Sequence, residues 1–84
     1  MKQDDLYFSR MQRINELIAA RCTGTPAELA SKLNMGLRNL YNYIDVLKDS
    51  IKEFNVNILY NQCMHTYEYD QPGKLVFGFA WKAV

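Results

Sequence analysis

Hydrophobic positions recur with the helical period through the first half of the chain and alternate through its last third. Tyr7, Met11, Ile14 and Ile18 fall at i, i+4, i+7 and i+11, one stripe of a helix, and Leu17 widens it. This spacing predicts a helix over residues 6–20, with Arg10, Arg13 and Glu16 off the stripe. Gly24, in Arg21-Cys22-Thr23-Gly24, is the expected breaker. Thr25-Pro26-Ala27-Glu28 then reads as a capping box with proline at the first helical position. The short apolar run Ala27, Leu29, Ala30 and Leu33 follows. Asn34-Met35-Gly36 is the expected turn, since Asn tolerates a left-handed helix end and Gly36 can cap the next helix. Leu40, Ile44 and Leu47 define the buried stripe of a third helix over residues 37–50, flanked by Tyr43. Its opposite face carries Arg38, Tyr41, Asn42 and Asp45.

Past Asn55 the period shortens to two. Val56, Ile58 and Tyr60 alternate with asparagines, and Leu59 interrupts the pattern. Thr66–Tyr69 is a second strand, and Leu75, Phe77 and Phe79 mark a third. Gln62-Cys63-Met64-His65 is the loop between the first two strands, and Asp70-Gln71-Pro72-Gly73 is a turn by its residue chemistry. The expected architecture is α+β: a winged helix-turn-helix, in which a three-helix core precedes a small antiparallel sheet. The whole of residues 1–84 is read as one domain, with the helix-turn-helix at 25–50 and the wing at 56–79.

Composition adds little that conflicts. The chain has 84 residues, 49% of them hydrophobic, and a net charge of +1. The balance of ten Lys and Arg against nine Asp and Glu gives no general affinity for polyanions, although Lys2, Arg10, Arg13 and Arg21 gather early in the chain. Cys22 and Cys63 form no metal-binding spacing; they are read as two free thiols, with a Cys22–Cys63 bridge as the alternative. The polar start Met1-Lys2-Gln3-Asp4-Asp5 does not resemble a signal peptide, and no run is long enough to span a bilayer. A soluble cytoplasmic protein without membrane contact is expected.

Gly24-Thr25-Pro26-Ala27-Glu28-Leu29-Ala30-Ser31-Lys32-Leu33-Asn34-Met35 resembles the "G-T-x-x-E-L-A-x-x-L-G-V" run of DeoR-type winged helix-turn-helix modules of bacterial transcriptional regulators. Arg38 to Leu47 resembles the "R-T-I-Y-R-D-I-x-x-L" that follows it in that family. Leu59-Tyr60-Asn61 and Tyr67-Glu68-Tyr69 resemble its wing strands. The resemblance implies sequence-specific binding of double-stranded DNA and a role in transcription regulation. It implies that the third helix enters the major groove with Arg38, Asn39, Tyr41 and Asn42 facing the bases and backbone, and with Gly36 and Leu37 at its tip. Three positions depart from the pattern. Gly36 stands where the family often has Ser or Thr, Asn42 stands where a second Arg is common, and the wing loop is neutral. Each departure removes a phosphate contact. The length leaves no space for the ligand-sensing domain that many such repressors carry.

The chemistry of these side chains fits the reading. Arg38 can pair with guanine O6 and N7, and Asn42 with adenine N6 and N7. Tyr41 offers a hydroxyl to a phosphate, and Thr25 lies at a helix N-terminus. Each has a plainer alternative: Arg38 as a solvated charge facing Asp45, Asn42 as a surface amide, Tyr41 as a partly buried ring, Thr25 as a cap. Lys32 and Lys48 are candidate backbone contacts, and His65 reads as a loop residue. The aromatic cluster Tyr67, Tyr69, Phe77, Phe79 and Trp81 is expected to cover the helices, with Trp81 and Val84 left as an exposed patch for a second copy or a protein partner. No nucleophile–base pair, carboxylate pair, phosphate loop or metal set is present, so neither enzymatic activity nor a cofactor is expected. The alternative function is a winged-helix protein-interaction module that does not bind DNA.

Overall fold

Three helices come first in the computed structural model, which describes residues 2–76 and 80–83, with side chains described from Leu6 onward. They are α1 (Lys2–Ala20), α2 (Pro26–Lys32) and α3 (Leu37–Ile51), the last running into a single 3-10 turn, Lys52–Phe54. All three end in the same way. The amide of Cys22 bonds back to Leu17 O, that of Met35 to Ala30 O and that of Val56 to Ile51 O, at 3.0, 3.0 and 3.4 Å. The residue before each is left-handed: Arg21 at φ 58°, Asn34 at φ 55° and Asn55 at φ 58°. This is the Schellman arrangement, which satisfies the last helical carbonyls. Asparagine adopts it readily; Arg21 does so at a backbone cost of about 1–2 kcal/mol. Arg21, and not the expected Gly24, therefore ends α1. The helix also begins at Lys2 and not near Leu6.

The predicted stripes meet in one core. Ile14, Ile18, Leu29, Leu40, Leu47, Ile51 and Val56 are at most 1% exposed. Tyr7 is the exception on the α1 stripe. It is half exposed, and its ring stacks on Tyr43 at 5.0 Å between centroids.

The expected single sheet is instead two separate antiparallel hairpins. β1 (Ile58–Asn61) pairs with β2 (Thr66–Tyr69), placing Tyr60 opposite Tyr67 and Ile58 opposite Tyr69. β3 (Lys74–Val76) pairs with β4 (Ala80–Lys82), a strand that the alternation did not predict. The expected wing segment thus splits, and Val56 belongs to the helix end. The split has a clear cause, because the outer edge of β2 is already taken. Thr23, between α1 and α2, accepts from the Tyr67 amide at 2.8 Å, and its own amide donates to Thr66 Oγ1 at 3.1 Å. At the base of the first hairpin, the Asp70 carboxylate accepts from the Asn57 amide and side chain at 2.9 and 3.1 Å. The chain then turns at Pro72-Gly73. A Cβ on Gly73 would collide with the backbone of Lys82 and Ala83.

β3 is held by a side chain of α1. Asn15, 2% exposed, donates to Leu75 O at 2.7 Å and accepts from the Leu75 amide at 3.1 Å and the Tyr69 hydroxyl at 2.6 Å. An asparagine amide mimics a peptide group here, so the helix offers the strand one ladder rung. The expected third-strand residues Phe77 and Phe79, like Val84, lie outside the described residues. Trp81 is not an exposed patch: it is partly buried, edge-on against Tyr69 at 4.8 Å.

The Thr23 stitch is testable. Thr23→Val keeps the shape but leaves the buried Tyr67 amide without an acceptor. A loss of about 2 kcal/mol is expected in urea unfolding, against a far smaller change for exposed Ser31→Ala.

Candidate nucleic-acid interface

Gly36 opens α3 as its N-cap in an extended conformation, with no side chain to close the cap. From there the helix sorts its residues by face. Leu40, Tyr43, Ile44 and Leu47 turn into the core, while Leu37, Arg38, Asn39, Tyr41 and Asn42 are exposed. Six of the seven expected contact positions therefore share the first half of α3 and its cap. Among the described residues, the side chains of Arg38, Asn39 and Asn42 make no hydrogen bond or ion pair. The suggested Arg38–Asp45 pairing does not form. Further along the helix Asp45, Lys48 and Asp49 are exposed, and Asp49 lies 3.7 Å from Lys52, so the second half of α3 is of mixed charge.

The seventh position, Thr25, is engaged elsewhere. Its amide donates to Glu28 Oε1 at 2.8 Å, and its hydroxyl accepts from the Glu28 amide at 3.2 Å. The capping box is closed, as expected. A carboxylate thus already sits at the start of α2, where it disfavours a phosphate. The bonds from the Thr25 backbone and side chain hold the Glu28 carboxyl below the usual glutamate range. Its folded value is depressed, so the stability it contributes is present above the unfolded value and is lost as pH falls through the folded one. Glu28→Gln should therefore flatten the acid limb of a thermal-stability profile, and a carboxyl titration by NMR should place Glu28 below the usual glutamate range.

Two other cations are also engaged. Lys32 Nζ donates to the carbonyls of Cys22 and Thr23 at 2.9 and 3.2 Å, tying α2 to the end of α1. Arg21 lies 3.4 Å from the Glu68 carboxylate. Lys48 is exposed. In the β1–β2 loop, Met64 is the most exposed large apolar residue among the described residues at 70%, and its amide donates to Asn61 Oδ1. His65 is exposed and left-handed at φ 53°. Cys22 and Cys63 are both free and exposed. Among the described residues, no three His, Cys, Asp or Glu side chains gather as a metal site, and no helix is long and apolar enough to cross a membrane.

Two further tyrosines pack against each other on the β1–β2 hairpin. Tyr60 and Tyr67 meet edge-on at 5.1 Å. Alternation along the strands placed each ring on a sheet face. No family model, curated protein or solved structure matches this chain.

Proposed function

We propose that the chain binds double-stranded DNA as a winged helix-turn-helix module, similar to those of DeoR-type regulators, with the first half of α3 in the major groove and the β1–β2 hairpin as the wing. One observation carries the reading. After a closed capping box and a tight turn, α3 presents Gly36, Leu37, Arg38, Asn39, Tyr41 and Asn42 to solvent together, with Arg38 unpaired among the described residues. A helix in this setting reads base edges with its N-terminal residues.

Fluorescence anisotropy with labelled duplex DNA tests the reading. Binding at low salt is expected, with a log–log salt slope of about −2, since Arg38 and Lys48 are the cations free on this helix. No binding at low salt, or none of the salt dependence that phosphate contacts require, would sink it. Gly36→Ser gives a gain-of-function check. Nothing lies within 4 Å of a Cβ there, so the hydroxyl fits and supplies both a cap and a phosphate donor. Affinity should rise a few-fold, with stability up by a few tenths of a kcal/mol.

A second reading is a winged-helix module for protein contacts. The exposed Leu37 and Val46 on α3, and Leu59 and Met64 on the hairpin, favour it. Under this reading Leu59→Ser and Met64→Ser would abolish association with a partner and leave any duplex affinity unchanged.

A further inference from the structure

Among the described residues, every strand edge but one is occupied or guarded. Thr23 occupies the outer edge of β2, and Asn15 that of β3, where it bonds both the amide and the carbonyl of Leu75. β4 carries the exposed Lys82, a charge that discourages edge pairing. β1 is bonded to β2 alone. The Asp70 amide donates to Asn57 O at 2.9 Å, so Asn57 and, by alternation, Leu59 and Asn61 turn their backbone groups toward β2. Ile58 and Tyr60 turn theirs the other way, just as the Tyr67 amide opposite Tyr60 turns away from β1 to Thr23. No group among the described residues bonds to that outward edge. The chain around it also lacks the usual protection: residues 54–65 contain no Asp, Glu, Lys, Arg or Pro. Leu59, the residue that interrupts the alternation, is 50% exposed.

We infer that the free edge of β1 pairs antiparallel with β1 of a second copy of this chain, about a twofold axis at Leu59, so that the two hairpins form one continuous sheet across a dimer. The inference goes beyond both readings above and does not depend on whether α3 reads DNA. Three features favour a second copy as the occupant. The first is register. With the axis at Leu59, Ile58 of each copy stands opposite Tyr60 of the other, and each such pair exchanges both N–H···O=C bonds through the groups that point outward. The two copies of Leu59 then face each other as a non-hydrogen-bonded pair, with Cα atoms about 4.5 Å apart and side chains in contact. The second is charge. An uncharged strand meets its own copy without like-charge repulsion, and Glu68, the cross-strand neighbour of Leu59, is paired with Arg21. The third is closure. Thr23 already occupies the far edge of β2, so the sheet cannot grow further and the assembly stops at a dimer instead of a fibre.

Sedimentation equilibrium from micromolar to millimolar protein tests the pairing. The parent chain is expected to pass from monomer to dimer as concentration rises. Leu59→Lys sets like charges against each other at the twofold axis and should stay monomeric throughout. Its thermal transition should be kept, because the side chain is exposed. Cross-linking checks the register. Cys22 and Cys63 are both free and exposed, so the background carries Cys22→Ser and Cys63→Ser. In it, Leu59→Cys should give a disulfide-linked dimer under mild oxidation, since Cα atoms about 4.5 Å apart suit a disulfide. Gln62→Cys should not, because its two copies would lie about 20 Å apart along the antiparallel strands. A parent chain that stays monomeric at every concentration would overturn the pairing and leave the edge to an extended segment of another protein. A dimer that persists in Leu59→Lys, or one that Leu59→Cys fails to cross-link, would overturn it in favour of another surface.

Discussion

Replacing Asn15 with alanine is expected to remove about 3 kcal/mol of folding stability. Three groups lose their partner together: the Tyr69 hydroxyl, the Leu75 amide and the Leu75 carbonyl. Each buried polar group left unpaired costs about 1–3 kcal/mol, and water entering the vacated space recovers part of it. A domain of 84 residues has about 4–13 kcal/mol in all, so the loss is a large share. The hairpin β3–β4 should loosen first, since Asn15 is its tie to α1. Trp81 reports this directly, because it packs edge-on against Tyr69; its fluorescence should shift before helical circular dichroism falls. Asn15→Ala combined with Tyr69→Phe should recover about 1 kcal/mol relative to additivity, since the second change removes one of the orphaned donors. A measured loss under about 1 kcal/mol for Asn15→Ala would mean that the strand is held by apolar packing alone.

The second large effect concerns binding and leaves the fold alone. On the proposed reading, Arg38→Glu should weaken binding to a duplex selected from a random pool about a hundredfold and flatten its salt slope by about one. The change replaces a cation with a carboxylate on the groove-facing half of α3. Stability should move by less than about 0.5 kcal/mol, because Arg38 is exposed and has no partner among the described residues. Lys32→Met is the mirror experiment. It loses two charge-assisted bonds to carbonyls, so it should destabilise by about 1 kcal/mol and leave the salt slope unchanged. If the two variants exchanged these outcomes, the surface containing Lys32 and not α3 would be the one that meets DNA.

The contrast between these two cations shows where the sequence could be read. Arg38 was legible as a surface residue, because it lies opposite the Leu40–Ile44–Leu47 stripe of its own helix. Lys32 was equally legible as polar, but its partners are backbone carbonyls ten and nine residues earlier, and a carbonyl carries no sequence signature. The capping box at Thr25 and the left-handed Asn34 were readable because both are local. Arg21 in the same left-handed role was not, since nothing in its chemistry favours that conformation. Asn15 was passed over for a similar reason. It sits next to an apolar stripe, and its partners lie 54 and 60 residues away.

By itself the sequence determined the three helices, the capping box and turn around α2, the buried stripes and the β1–β2 hairpin, because periodicity, capping and turn chemistry act over a few residues. It also determined which side chains of α3 face away from the core. Only the tertiary structure decided that the strands form two hairpins and not one sheet, because Thr23 occupies the edge of β2 and Asn15 captures β3. It likewise decided which cations are already engaged. These outcomes depend on hydrogen bonds and packing between segments far apart in the chain, and local pattern holds no record of them.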